Sequence, residues 1–178
     1  MLGHGAGGGV QAPDLVAATE AARSEEIAVA LVEQPYRVAG RRSPARAPQL
    51  DASWIAVVER LRARELEELP LFVGGRSLGA RVACRTAEDT VAVAVLCLAF
   101  PLQPPGRSSP SRLPELDAVT VPTLVVQGER DPYGVPPPGP AREVVTVAGD
   151  HGLKKDTVAV GAAVQAWLAR VVPQKSTR

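Results

Sequence analysis

The feature that most constrains this sequence is a serine flanked by two glycines. The motif Gly75-Arg76-Ser77-Leu78-Gly79 follows a short apolar run, Leu71 to Val73, and precedes a helical pattern that continues to about Ala87. In this context the motif predicts a sharp strand-to-helix turn, because residues without a Cβ allow the backbone to turn tightly. We therefore expect the Ser77 hydroxyl to project from the bend, where a substrate can reach it.

Strand and helix patterns alternate along the chain, which predicts an α/β fold with a mostly parallel sheet and helices on both faces. We expect Ile27–Val32 to be a strand buried on both faces, because it is a continuous apolar run. The further strands are predicted at Leu71–Val73, Val91–Phe100, Pro122–Gln127 and Glu143–Val147. The spacing of apolar residues predicts helices over Pro13–Arg23, from a cap at Asp51 or Ser53 to about Leu66, and over Lys155–Val172.

Composition limits the classes of protein to consider. A chain of 178 residues fits a single domain, residues 1–173, with a flexible tail at 174–178. A net charge of +1 argues against a nucleic-acid partner, and no apolar run approaches the ~20 residues of a membrane span. Cys84 and Cys97 lie in apolar segments and are expected to be buried, reduced thiols. Reduced thiols, together with an N-terminal sequence that does not resemble a secretory leader, predict a cytoplasmic protein.

Serine chemistry needs an imidazole to accept the hydroxyl proton and a carboxylate to orient that imidazole. His151 is the candidate base, because His4, the other histidine, precedes the serine and is expected to order the first glycine loop. Asp131 is the candidate acid, since it follows a predicted strand and completes the chain order serine, acid, histidine. Glu129 is the reserve acid, and an alternative makes Asp131 a turn residue before a proline. We expect Asp150 to be a solvated loop residue.

An oxyanion hole needs two backbone N–H donors that point to the developing charge. Leu78 is expected to supply one donor, and Ala6, directly after Gly5 in the glycine-rich opening, the other. Two alternatives stay open for this opening: a flexible terminus, or the G-x-G-x-x-G fingerprint of a dinucleotide site with Glu33 as its ribose-binding acid. The fingerprint should follow a strand, and only two residues precede Gly3.

Six motifs in order resemble those of the small, cap-less α/β-hydrolases of the dienelactone-hydrolase-like branch. They are His4-Gly5-Ala6-Gly7, Gln34-Pro35-Tyr36, Gly74-Gly75-Arg76-Ser77-Leu78-Gly79-Ala80-Arg81, Pro101-Leu102-Gln103-Pro104-Pro105-Gly106, Gln127-Gly128-Glu129-Arg130-Asp131-Pro132 and Gly149-Asp150-His151-Gly152-Leu153. The resemblance implies a triad of Ser77, Asp131 and His151 that hydrolyses an ester or related acyl bond of a small molecule. It requires neither a metal nor a cofactor, and it leaves the oligomeric state open, a homo-oligomer included.

The sequence departs from this family in two places. A complete strand should precede the glycine loop, and here Met1 and Leu2 supply only its last residues, so we expect an N-terminally truncated sheet. Three alternatives would complete the sheet: a start further upstream, a strand from a partner, or direct pairing of the neighbouring strands. Prolines from Pro132 to Pro140 replace most of the helix before the last strand. Such a reduced fold leaves a second hypothesis open, an interaction module without catalytic activity.

Overall fold

The computed structural model describes residues 1–64, 69–106 and 109–172. Its centre is one six-stranded sheet in the order β2-β1-β3-β4-β5-β6, in which every pair of neighbouring strands is parallel. The predicted α/β fold with a parallel sheet is confirmed. The strands are β1 (Leu2–Gly3), β2 (Leu31–Val32), β3 (Phe72–Arg76), β4 (Ala94–Leu98), β5 (Thr123–Gly128) and β6 (Arg142–Val147).

Helices cover both faces of the sheet, as predicted. The helices are α1 (Pro13–Ser24), α2 (Pro35–Val38), α3 (Ala47–Arg62), α4 (Leu78–Arg85), α5 (Leu113–Asp117) and α6 (Thr157–Val171). One face packs against buried residues of α3, α4 and α5, and the other against buried residues of α1 and α6. No helix in the described part of the chain combines the length and the apolar character needed to cross a membrane.

Strand β4 illustrates why a continuous apolar run suits the middle of this sheet. Its side chains alternate between the two cores, so that Val95 and Cys97 belong to the cluster with α3 and α4, and Leu96 and Leu98 to the cluster with α1 and α6. All five residues of the strand are buried. Cys97 Sγ lies 3.4 Å from Sγ of buried Cys84, and this contact, together with burial, raises the pKa of the Cys97 thiol.

The two-residue strand β1 lies second from one edge of the sheet, between β2 and β3. Leu2 pairs with Leu31 on one side and with Gly74 on the other, so β2 and β3 do not pair directly. The prediction of a buried strand over residues 27–32 is wrong in extent: β2 has two residues, and both are only half-buried. The reason is that β2 lies at the sheet edge and its one neighbour, β1, is equally short.

Helix α3 begins one turn earlier than predicted. Asp51 and Ser53 lie inside it rather than at its N-cap, and Ser53 Oγ donates to Gln49 O within the helix. Pro48 in the first turn supplies the preset φ that begins the helix, and Leu50, which is buried, already packs into the core. The predicted end near Leu66 lies outside the described residues, as does the predicted tail at 174–178.

The connection between β5 and β6 contains turns instead of a helix. Residues 129–141 are all described, and they contain a turn closed by a Gly134 N–H bond to Asp131 O and an isolated bridge between Gly139 and Arg142. The predicted loss of the helix before the last strand is confirmed. This compact connection leaves Asp131 directly after β5, at the carboxyl end of the sheet.

Candidate active site

Ser77 lies between β3 and α4 in a backbone conformation that residues other than glycine rarely adopt. Its φ is 51° and its ψ is −105°. Such a conformation costs on the order of 1–3 kcal/mol and persists only where the surrounding structure enforces it. Here the Ser77 N–H donates to Leu98 O of the neighbouring strand, at 2.9 Å, and Ser77 O accepts from Arg81 N in the first turn of α4.

The two motif glycines allow this bend to lie against β1. A Cβ on Gly75 or on Gly79 would collide with the carbonyl oxygen of Gly3, a backbone atom that cannot rotate away. The glycines are therefore needed for two reasons: they let the turn tighten, and they let β1 approach the turn closely.

His151 lies in the loop after β6 and contacts both other predicted members of the triad. Its Nδ1 lies 2.8 Å from Asp131 Oδ2, and its Nε2 lies 2.9 Å from Ser77 Oγ. A carboxylate can only accept, so Nδ1 carries the proton and Nε2 is free to accept from the serine hydroxyl. The structure therefore brings Ser77, His151 and Asp131 into one continuous hydrogen-bonded chain.

Asp131 has a side chain that is fully buried and whose two oxygens both receive hydrogen bonds. Oδ1 accepts from Tyr133 N at 2.8 Å, and Oδ2 accepts from Gln127 Nε2 at 2.8 Å in addition to His151. These donors hold the carboxylate toward the imidazole and compensate for its loss of water. The bond from Tyr133 N also closes a local turn, as expected if Asp131 is a turn residue. Asp131 therefore forms the turn and contacts His151 at the same time.

Gln127 is a residue that the sequence analysis missed. It is fully buried at the end of β5, where its Oε1 accepts from Phe100 N and its Nε2 lies within 3.0 Å of Phe100 O, Asp131 Oδ2 and Gly134 O. The signal was a single amide side chain within an otherwise apolar strand sequence, four residues before the candidate acid. Buried amides in such positions usually have a hydrogen-bonding role.

Tyr133 was missed as well, and it covers one side of the candidate base. Its ring centroid lies 4.3 Å from that of His151, with the planes inclined by 39°. A tilted contact at this distance is favourable and limits rotation of the imidazole. The side chain of His151 is 19% exposed, so the imidazole remains partly open to solvent.

His4 orders the glycine-rich loop, residues 4–9. It is fully buried, its Nε2 accepts from Gln34 N at 2.9 Å, and its Nδ1 therefore carries the proton that is donated to Gly5 O at 2.8 Å. Tyr36 Oη donates to Ala6 O in the same loop. These contacts fix the loop and argue against the alternative of a flexible terminus.

The same loop lies against the serine. A Cβ on Gly5 would be 3.4 Å from Ser77 Cβ, which brings the predicted oxyanion segment into contact with the candidate nucleophile. Leu78, the other predicted donor, is the first residue of α4, whose initial N–H groups have no partner within the helix. Within the described ranges, neither the Ala6 nor the Leu78 amide donates to a protein acceptor.

Among the described residues the imidazole bonds to Ser77 and Asp131, and neither to the reserve acid Glu129 nor to Asp150. Glu129 and Asp150 are both exposed, and Asp150 Oδ1 accepts from Gly152 N in its own loop. Arg81 and Arg76, which flank the serine, each form an ion pair: Arg81 with Glu115 and Arg76 with Asp14. The dinucleotide alternative is disfavoured, because the strand order of this sheet is not the 3-2-1-4-5-6 order of dinucleotide-binding folds.

A family model described as an alpha/beta hydrolase domain matches residues 1–174. The chain belongs to this family. The predicted resemblance to α/β-hydrolases is thus confirmed, and membership supports a hydrolase activity. No curated protein matches the chain at a significant level.

Solved structures share the fold at low sequence identity. A lidless α/β serine hydrolase from Xanthomonas campestris is 20% identical, with a TM-score of 0.72 and coverage of 97% of this chain and 83% of that chain. Est1E from Butyrivibrio proteoclasticus is 16% identical, with a TM-score of 0.72 and coverage of 94% of this chain and 85% of that chain. An esterase from Pyrococcus furiosus is 15% identical, with a TM-score of 0.68 and coverage of 95% and 79%. The lidless example agrees with the predicted cap-less branch.

Proposed function

We propose that the chain is a serine hydrolase that cleaves an ester or a related acyl bond of a small molecule through an acyl-enzyme intermediate. One observation carries the proposal: Ser77 Oγ, His151 and Asp131 form a single hydrogen-bonded chain with contacts of 2.9 and 2.8 Å. The contact of 2.9 Å lies within the range required for proton transfer from a nucleophile to a general base, and the contact of 2.8 Å orients that base. The Pyrococcus furiosus esterase among the structural neighbours makes an ester the first substrate class to test.

The first half-reaction begins with attack of Ser77 Oγ on the acyl carbonyl carbon. His151 Nε2 takes the hydroxyl proton as the O–C bond forms, and Asp131 stabilises the resulting imidazolium at Nδ1. The carbonyl oxygen becomes an oxyanion, which the Leu78 and Ala6 amides hold. Collapse of this intermediate returns the proton from His151 to the departing alcohol and leaves the acyl group on Ser77.

The second half-reaction repeats this chemistry with water as the nucleophile. His151 removes a proton from water as the water oxygen attacks the acyl carbon, and the proton then returns to Ser77 Oγ as the acid product leaves. The same two amides hold the second oxyanion. All of these proton transfers pass through one imidazole, which is why the contact between His151 and Asp131 matters in both halves.

A fluorophosphonate probe tests the proposal, because it reacts with serines that are activated in this way. We expect labelling of the purified chain at Ser77, and its loss in Ser77→Ala and His151→Ala. Ser53 is the matched control, since it is a half-buried serine of α3 whose hydroxyl donates to Gln49 O within the same helix. Ser53→Ala should label like the wild type.

Hydrolysis of p-nitrophenyl esters of increasing acyl length gives the second measurement. Loss of Ser77 should lower kcat by about 10⁴-fold or more, and Asp131→Asn by about 10⁴-fold, the magnitudes found when members of such triads are removed. Folded wild-type protein that neither labels nor hydrolyses any of these esters would refute the proposal. It would favour the interaction module instead.

A further inference from the structure

Arg76, the residue before the candidate nucleophile, contacts three separate segments of the site. Its Nε lies 2.9 Å from Asp14 Oδ2 on α1, and its Nη2 donates to His151 O at 2.9 Å. Its Nη1 lies against Gly5, so close that a Cβ on that glycine would be 2.8 Å from it. A single guanidinium therefore touches the glycine-rich loop, the first helix and the loop that bears the candidate base.

Asp14 is an unusual partner for this guanidinium, because its side chain is fully buried while that of Arg76 is 16% exposed. Oδ1 accepts from Leu15 N, but Oδ2 has no aligned hydrogen-bond donor within the described residues and faces the guanidinium as an ion pair. Burial raises the pKa of Asp14, and the charge of Arg76 opposes this rise. Without Arg76 the buried Asp14 carboxylate would have no ion-pair partner among the described residues.

Stability alone gives a weak reason for such a pair. Buried ion pairs can often be replaced by apolar side chains of similar volume without loss of stability, because removal of two charges from water costs as much as their attraction returns. The contacts of Arg76 beyond Asp14 suggest a different purpose. Nη1 and Nη2 reach the two loops whose positions relative to Ser77 determine proton transfer and oxyanion binding.

We propose that Arg76, held in place by Asp14, is a positioning residue that aligns the His151 loop and the glycine-rich loop with Ser77. The inference rests on the proposed function, because the alignment has a consequence only if Ser77 reacts. A guanidinium is required, since its planar fork presents donors in several fixed directions, whereas a lysine ammonium is a single point charge. Lysine at this position can keep the charge near Asp14, but it cannot contact both loops as well.

Arg76→Lys tests the inference with Arg85→Lys as its matched control. Arg85, the last residue of α4, has a similarly exposed side chain, 17%, and pairs with Asp51 on α3 at 2.6 Å. Among the described residues its guanidinium bonds to Asp51 and Glu115 and to neither site loop. The rate of labelling by a fluorophosphonate is measured over a range of probe concentrations. This separates the maximal rate of reaction from the half-saturating concentration, and thermal melting of each variant reports its stability.

We expect Arg76→Lys to lower the maximal labelling rate by about 10- to 100-fold, the loss typical of a displacement near 1 Å in the reacting groups. The half-saturating concentration should stay within about twofold, because the guanidinium aligns reacting groups rather than binding the probe. Arg85→Lys should keep the wild-type rate even if its melting temperature falls. A merely structural role for Arg76 would predict equal effects at the two positions.

A double variant tests the inference without leaving the Asp14 carboxylate buried and unpaired. Arg76→Met combined with Asp14→Leu replaces both charges with apolar side chains, and it should fold yet label as slowly as Arg76→Lys. If the wild type labels and both variants label at the wild-type rate, the inference is overturned and the proposed function stays intact. Failure of the wild type to label would overturn both.

Discussion

Replacement of Gln127 by methionine removes the polar contacts of a fully buried side chain while keeping most of its volume. The amide has one acceptor oxygen, which receives Phe100 N, and two protons for three nearby acceptors: Phe100 O, Asp131 Oδ2 and Gly134 O. At most three good hydrogen bonds are therefore lost at once. With about 1–1.5 kcal/mol for each bond, and more for a backbone group left without a partner, we expect a loss of about 4 kcal/mol in the free energy of unfolding.

Urea denaturation followed by far-ultraviolet circular dichroism at neutral pH measures this loss. Gln34→Met is the matched control, because Gln34 is also buried, 3% exposed, but its side chain makes one long bond to His4 O, at 3.4 Å. The control should lose less than about 1 kcal/mol. A Gln127→Met variant that unfolds within 1 kcal/mol of the wild type would refute the hydrogen-bond reasoning, since the buried amide would then contribute little.

Two further predictions concern a buried charge and a close backbone contact. Burial raises the pKa of Asp14 above its unfolded value of 3.8, so the folded chain binds a proton at this carboxyl more strongly than the unfolded chain does. The stability of the wild type, measured relative to Asp14→Asn, should therefore fall as the pH rises from acid toward neutral. Urea denaturation at several pH values checks the sign, and an opposite trend would mean that the attraction of Arg76 outweighs burial. Gly79→Ala should cost roughly 2 kcal/mol or more, because its Cβ would collide with Gly3 O. Gly8→Ala is the control, because a Cβ at Gly8 would enter open space, and it should change stability by less than about 0.5 kcal/mol. Equal losses in the two variants would contradict the packing argument.

The elements that local sequence pattern determines were predicted well. The turn at Ser77 is an example, because the G-x-S-x-G motif directly follows an apolar run and precedes a helical pattern. These neighbouring patterns are sufficient to predict the turn. Asp131 and His151 follow neighbouring parallel strands, β5 and β6, whose carboxyl ends share one edge of the sheet. The chain order of the motifs, with both candidates placed after predicted strands, was therefore enough to predict that these side chains meet.

The elements that depend on contacts between distant segments were not predicted. The extent of β2 follows from the length of β1, and no property of residues 27–32 reveals it. Gln127 and Tyr133 contact the site through side-chain geometry, which spacing does not determine. Arg76 pairs with Asp14 on α1, more than sixty residues earlier, and no local pattern in the sequence indicates this partner.

The proposed mechanism requires Ser77 to carry an acyl group during turnover. Intact-protein mass spectrometry of the wild type, mixed with p-nitrophenyl acetate and quenched in acid within the first turnovers, detects this group. We expect a mass increase of one acetyl group that peptide mapping assigns to Ser77 and that is absent from Ser77→Ala. Hydrolysis by the wild type with no acetyl group on Ser77 at any time point, and with equal rates in Ser77→Ala, would contradict it.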